Sequence, residues 1–225
     1  MKYYSVAIDG PAGAGKSTMA KRAAKDLGFL YVDTGAIYRT VGYHMSLMGI
    51  GPKDADGIRR CIDDVYIDIR YEADGLQHMI LNGVDVTDRI RTPEMSVMAS
   101  GVATQPCVRA FLLDMQRQFA QTHNVIMDGR DIGTVVLPDA DVKIYLTASA
   151  EVRAKRRYDE LIEKGEQVAF ADVLDDMKKR DWQDMHREIA PLKKAEDAIE
   201  LDTSALTLEE SIAAIEEIIR NGGAV

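Results

Sequence analysis

The chain has 225 residues, of which 46% are hydrophobic and 29% charged, so it can bury a core without a disulfide framework or a structural metal. Its formal net charge of −9 excludes the broad positive surface that nucleic-acid or anionic-membrane binding requires. The first apolar run ends at Asp9, too early for a signal peptide or a membrane span. We therefore expect a cytoplasmic, monomeric protein with no nucleic-acid or membrane partner, in which Cys61 and Cys107 are reduced thiols.

The first predicted strand leads into a glycine-rich segment, Gly10-x-x-x-x-Gly15-Lys16-Ser17, which is followed by a helical pattern. This order predicts a phosphate-binding P-loop, because glycines let backbone N–H groups converge and a helix N-terminus attracts anions. We expect Lys16 to reach the β and γ phosphates of ATP and Ser17 to ligate Mg²⁺. The predicted ATP-binding residues are Gly10, Pro11, Ala12, Gly13, Ala14, Gly15, Lys16, Ser17 and Thr18.

Five short apolar runs, separated by helical stretches, predict the strands of a parallel sheet. They lie at residues 4–8, 29–32, 125–127, 142–146 and 199–201. The helix after the P-loop is expected to stop at Gly28, and Thr207 with Glu210 forms the pattern of a capping box before the last helix. The fold class is therefore α/β, a P-loop kinase fold with a five-stranded parallel sheet flanked by helices.

Between the second and third strands, the succession of strands and helices is interrupted by a segment whose apolar residues have a different spacing. Residues 65–71 alternate apolar and charged side chains, residues 73–75 predict a turn, and Asn82-Gly83 predicts a tight turn between residues 77–81 and 84–87. We interpret this segment as a small antiparallel β insertion, followed by a helical stretch at 93–118. The insertion would span about 61–118 and a helical lid, inferred by analogy, about 151–182. The core of the single domain, residues 1–225, would comprise 1–60, 119–150 and 183–225.

Two motifs follow predicted strand ends, where open α/β sheets bind their ligands. After the second strand, Thr34 is a candidate contact for a base or phosphate and Arg39 for a phosphate; the alternative is a helix cap beside a solvated arginine. After the third strand, Arg130 is a candidate clamp for the transferred phosphoryl group, and Asp131 is a candidate acceptor for an exocyclic amine. A surface salt bridge between these two neighbours is the alternative.

Two further motifs are predicted to be helical. Arg153 and Arg157 are four residues apart, where like charges repel, so a bound anion such as the phosphates of ATP would compensate them. Arg180, Asp184 and Arg187 are spaced to share one helical face, where they would bind a ribose and a phosphate. A solvated basic face and an ion-pair ladder, respectively, are the alternatives.

Together, the P-loop and the motifs at 33–39, 128–134 and 180–187 resemble those of bacterial cytidylate kinases over nearly the whole chain. The sequence Gly-Arg-Asp-Ile-Gly-Thr at 129–134 and the antiparallel insertion are the specific features, since the P-loop is shared with many families. Similar AMP and UMP kinases have Asp-Gly-Phe-Pro-Arg after the third strand, which this chain lacks. One departure is Thr34, where serine is more common in the family.

The resemblance implies that the chain transfers the γ-phosphoryl group of ATP to CMP or dCMP with Mg²⁺, acting as a nucleoside monophosphate kinase. It implies base contacts from Thr34, Ser100, Arg109 and Asp131. It implies acceptor-phosphate contacts from Arg39, Arg130 and Arg187, and sugar contacts from Arg180 and Asp184. The residues expected to stabilise charge on the transferred group are Lys16, Arg130, Arg153, Arg157 and Arg187.

Three other functions fit parts of the sequence. A kinase of the same fold could act on UMP or on another small acceptor such as shikimate. A GTPase switch is disfavoured because no Asn-Lys-x-Asp motif occurs, and a nucleic-acid-associated ATPase is disfavoured by the negative charge.

Overall fold

The computed structural model describes residues 2–71 and 77–222, which contain two β-sheets. The strands of the larger sheet are β1 (Ser5–Asp9), β2 (Leu30–Asp33), β6 (Val125–Gly129), β7 (Val142–Thr147) and β8 (Ile199–Asp202). Those of the smaller sheet are β3 (Ile67–Tyr71), β4 (Gln77–Leu81) and β5 (Val84–Asp85). The helices are α1 (Lys16–Leu27), α2 (Thr34–Leu47), α3 (Ala55–Cys61), α4 (Pro93–Val102), α5 (Pro106–Thr122), α6 (Ala150–Glu163), α7 (Phe170–His186) and α8 (Leu208–Arg220).

The larger sheet confirms the five predicted strands. Its order is β2-β6-β1-β7-β8, and β1 pairs in parallel with both β6 and β7. The register places Asp9 beside Gly129 and Tyr145, so the last residue of β1 lies at the carboxyl edge of the sheet. In an open parallel sheet this edge is where ligands bind, because the loops that follow the strands begin there.

Two compact units divide the chain, and the first holds residues 2–31 and 123–222. Its core is formed by apolar side chains of β1, β6 and β7 and by the inward faces of α1 and α8. Helix α1 ends at Gly28, which adopts a left-handed φ of 70° that glycine accepts because it has no β-carbon. Helix α8 begins with the predicted capping box between Thr207 and Glu210. These local signals fix the ends of the helices that cover the sheet.

The second unit spans Val32–Thr122. Helices α2 and α4 pack closely, since a β-carbon on Gly42 would lie 2.8 Å from the Met98 β-carbon. The antiparallel sheet confirms the predicted insertion, and Asn82 and Gly83, with φ of 49° and 84°, form the predicted tight turn. The turn predicted at residues 73–75 lies outside the described residues.

The structure differs from the sequence interpretation between residues 93 and 118. One helical stretch was expected there, but the chain forms α4 and α5, with a break before Pro106. A proline ends a helix because it lacks the N–H and restricts the residue before it, whereas it is tolerated at a first helical position. Among the described residues, none of the helices has the length and apolarity needed to cross a membrane.

Candidate active site

The P-loop has the backbone conformation that its glycines allow. Gly13 and Gly15 adopt positive φ angles of 71° and 83°. Gly10 has φ of 154°, and a β-carbon there would lie 1.9 Å from the carbonyl oxygen of Leu146. Side chains are excluded from these positions, so the loop turns tightly and ends at the N-terminus of α1, where its N–H groups favour an anion.

The Lys16 ammonium is buried inside the loop. It donates hydrogen bonds to the carbonyl oxygens of Gly10 at 2.8 Å and Pro11 at 2.7 Å. Burial lowers the pKa of Lys16 below its usual value, and the nearby Arg130 guanidinium lowers it further. A polyphosphate would favour the charged ammonium, because its negative charge replaces weak carbonyl acceptors.

The Ser17 hydroxyl lies against a buried carboxylate, that of Asp128. Ser17 Oγ donates to Asp128 Oδ2 at 2.9 Å, and the Tyr31 hydroxyl donates to Oδ1 at 2.8 Å. A hydroxyl beside a buried carboxylate is an all-oxygen donor set of the kind that Mg²⁺ prefers. These residues therefore fit the metal that the sequence predicts, with Ser17 as ligand and Asp128 able to accept hydrogen bonds from metal-bound water.

Two crossed ion pairs join the loop after β6 to the C-terminal part of α7 and the residue that follows it. Arg130 Nε donates to Asp184 Oδ2 at 2.8 Å, and Arg187 Nη2 donates to Asp131 Oδ1 at 3.1 Å. Both aspartates are almost fully buried. Arg130 and the neighbouring arginines offset the burial of Asp184 and hold its pKa below the usual value. Four predicted site residues are thus brought together within one unit.

The helical face predicted for Arg180, Asp184 and Arg187 is only partly correct. Helix α7 ends at His186, and Arg187 has an extended backbone with ψ of 142°. The Arg187 side chain is held from the other side, since its Nε donates to the Ala190 carbonyl oxygen at 2.6 Å. Arg187 therefore reaches Asp131 because the chain leaves the helix, and not because of a helical repeat.

Arg153 and Arg157 lie in different environments although both are on α6. Arg153 is 4% exposed, forms a bidentate ion pair with Asp181 and donates to the Ala12 carbonyl oxygen of the P-loop at 3.0 Å. Arg157 is part of an exposed pair with Glu160 at 3.0 Å. The mutual repulsion that suggested a shared anion is thus relieved by two carboxylates, and a role for Arg157 at phosphate stays a prediction.

Arg156 lies beside the P-loop, although sequence reasoning assigned it no role. Its Nη2 donates to the Thr203 carbonyl oxygen at 3.1 Å, while its buried Nη1 has no hydrogen-bond partner among the described residues. A β-carbon on Gly15 would lie 3.9 Å from that Nη1. Its position between Lys155 and Arg157 gave no signal, because only the packing of α6 selects which of these basic side chains lies beside the P-loop.

In the second unit, Asp33 caps α2 and positions Arg39. The Asp33 carboxylate accepts from the Ala36 N–H at 2.8 Å and from Arg39 Nη2 at 3.0 Å. Thr34 is buried at the first position of α2. The Arg39 Nε is buried and has no hydrogen-bond partner in the described part of the chain, so one donor of this guanidinium stays available for an anion.

Ser100 and Arg109, which the motifs alone did not single out, also belong to the second unit. Ser100 lies on α4 and is half-buried. The Arg109 guanidinium lies over the Tyr38 ring, 5.9 Å from its centroid, and donates to the Ala103 carbonyl oxygen at 3.4 Å. Tyr38 thus holds a planar cation on the helix pair formed by α2 and α5.

Three acidic residues of the site were missed in the sequence. Asp9 accepts hydrogen bonds from the Ile132 and Gly133 N–H groups, Asp128 accepts from Ser17, and Asp181 pairs with Arg153. Asp9 and Asp128 end or nearly end buried strands, which is a signal that sequence reading can use. Asp181 carries no such signal, because it lies within a charged helix.

A P-loop after the first strand of a parallel sheet in this order, with buried aspartates and partly buried arginines at its carboxyl edge, defines a P-loop kinase. The family model described as cytidylate kinase matches residues 6–221. The chain belongs to the cytidylate kinase family. The cytidylate kinase of Caldicellulosiruptor saccharolyticus is 49% identical, covering 97% of this chain and 96% of that protein. The cytidylate kinase of Lactobacillus johnsonii is 51% identical, covering 96% and 93%.

A solved structure of low sequence similarity shares the fold. An uncharacterized protein from Eubacterium ventriosum has a TM-score of 0.51 at 13% identity, covering 96% of this chain and 98% of that one. The architecture is thus found in a protein of largely unrelated sequence, so the acceptor must be inferred from the site and from the family.

Proposed function

We propose that this protein transfers the γ-phosphoryl group of ATP to CMP or dCMP, producing ADP with CDP or dCDP. The observation that carries the proposal is the two partly buried ion pairs, Arg130–Asp184 and Arg187–Asp131, in the same unit as the P-loop. Arginines held in a fixed orientation by buried carboxylates suit a phosphate, because the planar guanidinium donates two parallel hydrogen bonds. Membership of the cytidylate kinase family supports the choice of acceptor.

The donor end of the reaction is assigned to the P-loop, residues 10–18. Its N–H groups bind the ATP phosphates, and Lys16 exchanges its two carbonyl partners for phosphate oxygens. Ser17 would ligate Mg²⁺, with Asp128 fixing the hydroxyl. When bound, Mg²⁺ neutralises phosphate charge and orients the donor. Arg153 supports the loop through its hydrogen bond to the Ala12 carbonyl oxygen. We also propose that Arg157 offsets the negative charge that develops on the transferred phosphoryl group.

The acceptor nucleotide is assigned to nine of the predicted residues. We propose that Arg39, Arg130 and Arg187 bind the acceptor phosphate, and that Arg180 and Asp184 bind the sugar. Thr34, Ser100, Arg109 and Asp131 would bind the cytosine ring and its amino group. The available Arg39 Nε and the buried Asp131 carboxylate support these roles, since the first donates to an anion and the second accepts from an amine.

Chemistry at this site needs no strong base. An oxygen of the acceptor phosphate forms a bond to the γ-phosphorus while the bond to the β–γ bridging oxygen breaks, and the electron pair leaves with ADP. The transition state is loose, so positioning and electrostatic stabilisation supply most of the rate. We expect the helical pair α6–α7 to act as the lid that excludes water, because Arg153 links it to the P-loop.

The test is an ADP-release assay with ATP and Mg²⁺ and a panel of acceptors. We expect strong turnover with CMP and dCMP, weak turnover with UMP, and none with AMP, GMP or shikimate. Turnover confined to another acceptor would overturn the assigned base contacts while leaving the donor site in place. A monomeric state and a cytoplasmic location remain predictions, and light scattering on the purified protein tests the first of them.

A further inference from the structure

The carboxylate of Asp9 bridges two distant parts of the chain. Asp9 ends β1 immediately before the P-loop, yet its Oδ1 accepts from the Ile132 N–H at 2.8 Å and its Oδ2 accepts from the Gly133 N–H at 2.7 Å. These N–H groups begin the turn at Ile132–Val136, which has the wide hydrogen-bonding pattern of a π-helix. One side chain thus closes the loop that follows β6, which carries Arg130 and Asp131.

The burial of the Asp9 carboxylate has a free-energy cost. Asp9 is 5% exposed, and burial raises its pKa to about 6, although the two N–H groups oppose that shift. The neighbouring Asp131 carboxylate raises the pKa further and the Lys16 ammonium lowers it. A buried carboxylate is costly unless its oxygens are satisfied, so the charge and the two hydrogen bonds depend on one another.

Gly133 lies against both Asp9 and Lys143. A β-carbon there would lie 3.4 Å from Asp9 Oδ2, an ordinary contact distance, and 3.2 Å from the Lys143 δ-carbon. The sheet register also places Asp9 beside Gly129, the residue before Arg130. Asp9 therefore faces both the beginning and the end of the Gly129–Gly133 loop, and small changes in its position would be transmitted to Arg130 and Asp131.

We propose that Asp9 is a positioning residue for the acceptor nucleotide: by anchoring the Ile132 and Gly133 N–H groups, it orients the Arg130 guanidinium and the Asp131 carboxylate. The proposal rests on the acceptor roles given to these two residues under the proposed function. It adds a fixed connection from the strand that begins the donor site to the loop that binds the acceptor, carried by a residue that touches neither nucleotide.

A different role for Asp9 would follow from its neighbours in the chain. Asp9 precedes Gly10 and lies near Lys16, so it could simply support the P-loop. The two roles differ in which nucleotide binds less tightly when Asp9 is substituted. Support of the P-loop would affect ATP, whereas positioning of the 129–133 loop affects CMP.

The experiment compares the KM values for CMP and ATP in the isosteric variant Asp9→Asn. Its amide keeps one acceptor and places a donor against the second N–H, so the loop should lose its fixed orientation. We expect the KM for CMP to rise about tenfold or more, kcat to fall, and the KM for ATP to change by less than about twofold. Calorimetric titration with CMP alone should show the same loss of affinity. An unchanged KM for CMP, or a rise confined to ATP, would overturn the proposal.

The matched control is Asp141→Asn. The Asp141 carboxylate accepts from the Ser5 N–H at 2.9 Å, at the opposite end of the same strand. Both KM values should stay within about twofold of wild type. If Asp9→Asn does not fold, Asp9→Ala gives the same comparison of KM values, because it removes both acceptor oxygens without placing a donor against the Gly133 N–H or the Ile132 N–H. Wild-type protein that does not release ADP with CMP would refute the proposed function instead, so the two failures are distinguishable.

Discussion

The guanidinium of Arg153 and the carboxylate of Asp181 form a bidentate ion pair, with N–O distances of 3.0 and 2.6 Å, that joins the two helices α6 and α7. Two further N–H groups of Arg153 donate to the carbonyl oxygens of Ala12 and Ala148. This arginine therefore ties the helical pair to the P-loop.

Removal of Arg153 should destabilise the protein. In Arg153→Ala the Asp181 carboxylate and two carbonyl groups lose their partner in a buried setting, and we expect the free energy of unfolding to fall by about 3 kcal/mol. Urea denaturation measures the change. The control is Arg157→Ala on the same helix, whose exposed pair with Glu160 is expected to contribute less than about 0.5 kcal/mol. Equal losses in the two variants would contradict this account of the buried pair.

Arg187→Ala should impair phosphoryl transfer by at least about a hundredfold in kcat/KM. The substitution removes a fixed cation next to Asp131, and we assign this cation to the acceptor phosphate. Steady-state kinetics with CMP tests the effect, and circular dichroism verifies that the variant is folded. Arg220→Ala is the control, because that arginine is exposed near the end of α8 and pairs with Glu216 of the same helix. A near-normal kcat/KM would show that Arg187 is only a structural partner of Asp131 and does not bind the acceptor phosphate.

Binding of ATP should be accompanied by proton uptake at about pH 8. The pKa of Lys16 is lowered in the free protein by burial and by Arg130, so part of the population is neutral there. The phosphates favour the ammonium, raise its pKa and draw a proton from the buffer. Calorimetric titrations in two buffers of different ionisation enthalpy measure the protons taken up. Lys21→Met, on the exposed face of α1, should not change the number, and a value of zero in the wild type would contradict the inference.

Ser17→Ala should raise the Mg²⁺ concentration needed for half-maximal activity by about tenfold or more. The substitution removes the assigned ligand and leaves Asp128 with the Tyr31 hydroxyl as a partner. A magnesium titration of the initial rate measures the shift. Thr122→Ala serves as control, since that hydroxyl bonds to a carbonyl oxygen of its own helix. If Ser17→Ala lowers the rate equally at every Mg²⁺ concentration, the hydroxyl is not a metal ligand.

The Asp9 carboxyl should contribute a distinct pH dependence of stability. Burial raises its pKa in the folded protein to about 6, so the folded state holds the proton more tightly than the unfolded state. Its contribution is therefore fully present below about pH 4 and is lost as the pH rises through about 6, a difference on the order of 3 kcal/mol. Urea denaturation of wild type and Asp9→Asn across this range measures it. A stability difference between the two proteins that does not fall with pH would contradict the assignment.

Local sequence signals were sufficient for most of the fold. The five strands follow from short apolar runs, the left-handed end of α1 from Gly28, and the start of α8 from Thr207 with Glu210. Each of these depends on residues that are close in the chain. The break before α5 was missed although Pro106 marks it, because the flanking residues continue a helical pattern.

The sequence motifs drew attention to several residues of the candidate site, but not to Asp9, Asp181 or Arg156 and not to the pairings between residues. Asp184 lies 54 positions from Arg130, and the N–H groups bound by Asp9 are 123 and 124 positions away. Such pairs exist only because the parallel sheet brings strand ends together, and charge patterns along one helix do not reveal them. Arg156 and Arg157 are adjacent, so only the packing of α6 decides which of them lies beside the P-loop.

The most direct test of the central claim is to follow ATP, Mg²⁺ and CMP with the purified protein by phosphorus NMR. We predict that CDP and ADP appear in equal amounts, while inorganic phosphate stays at the level seen without protein. Release of inorganic phosphate without formation of CDP would contradict it, because the site would then hydrolyse ATP and not transfer its phosphoryl group to a cytidine nucleotide.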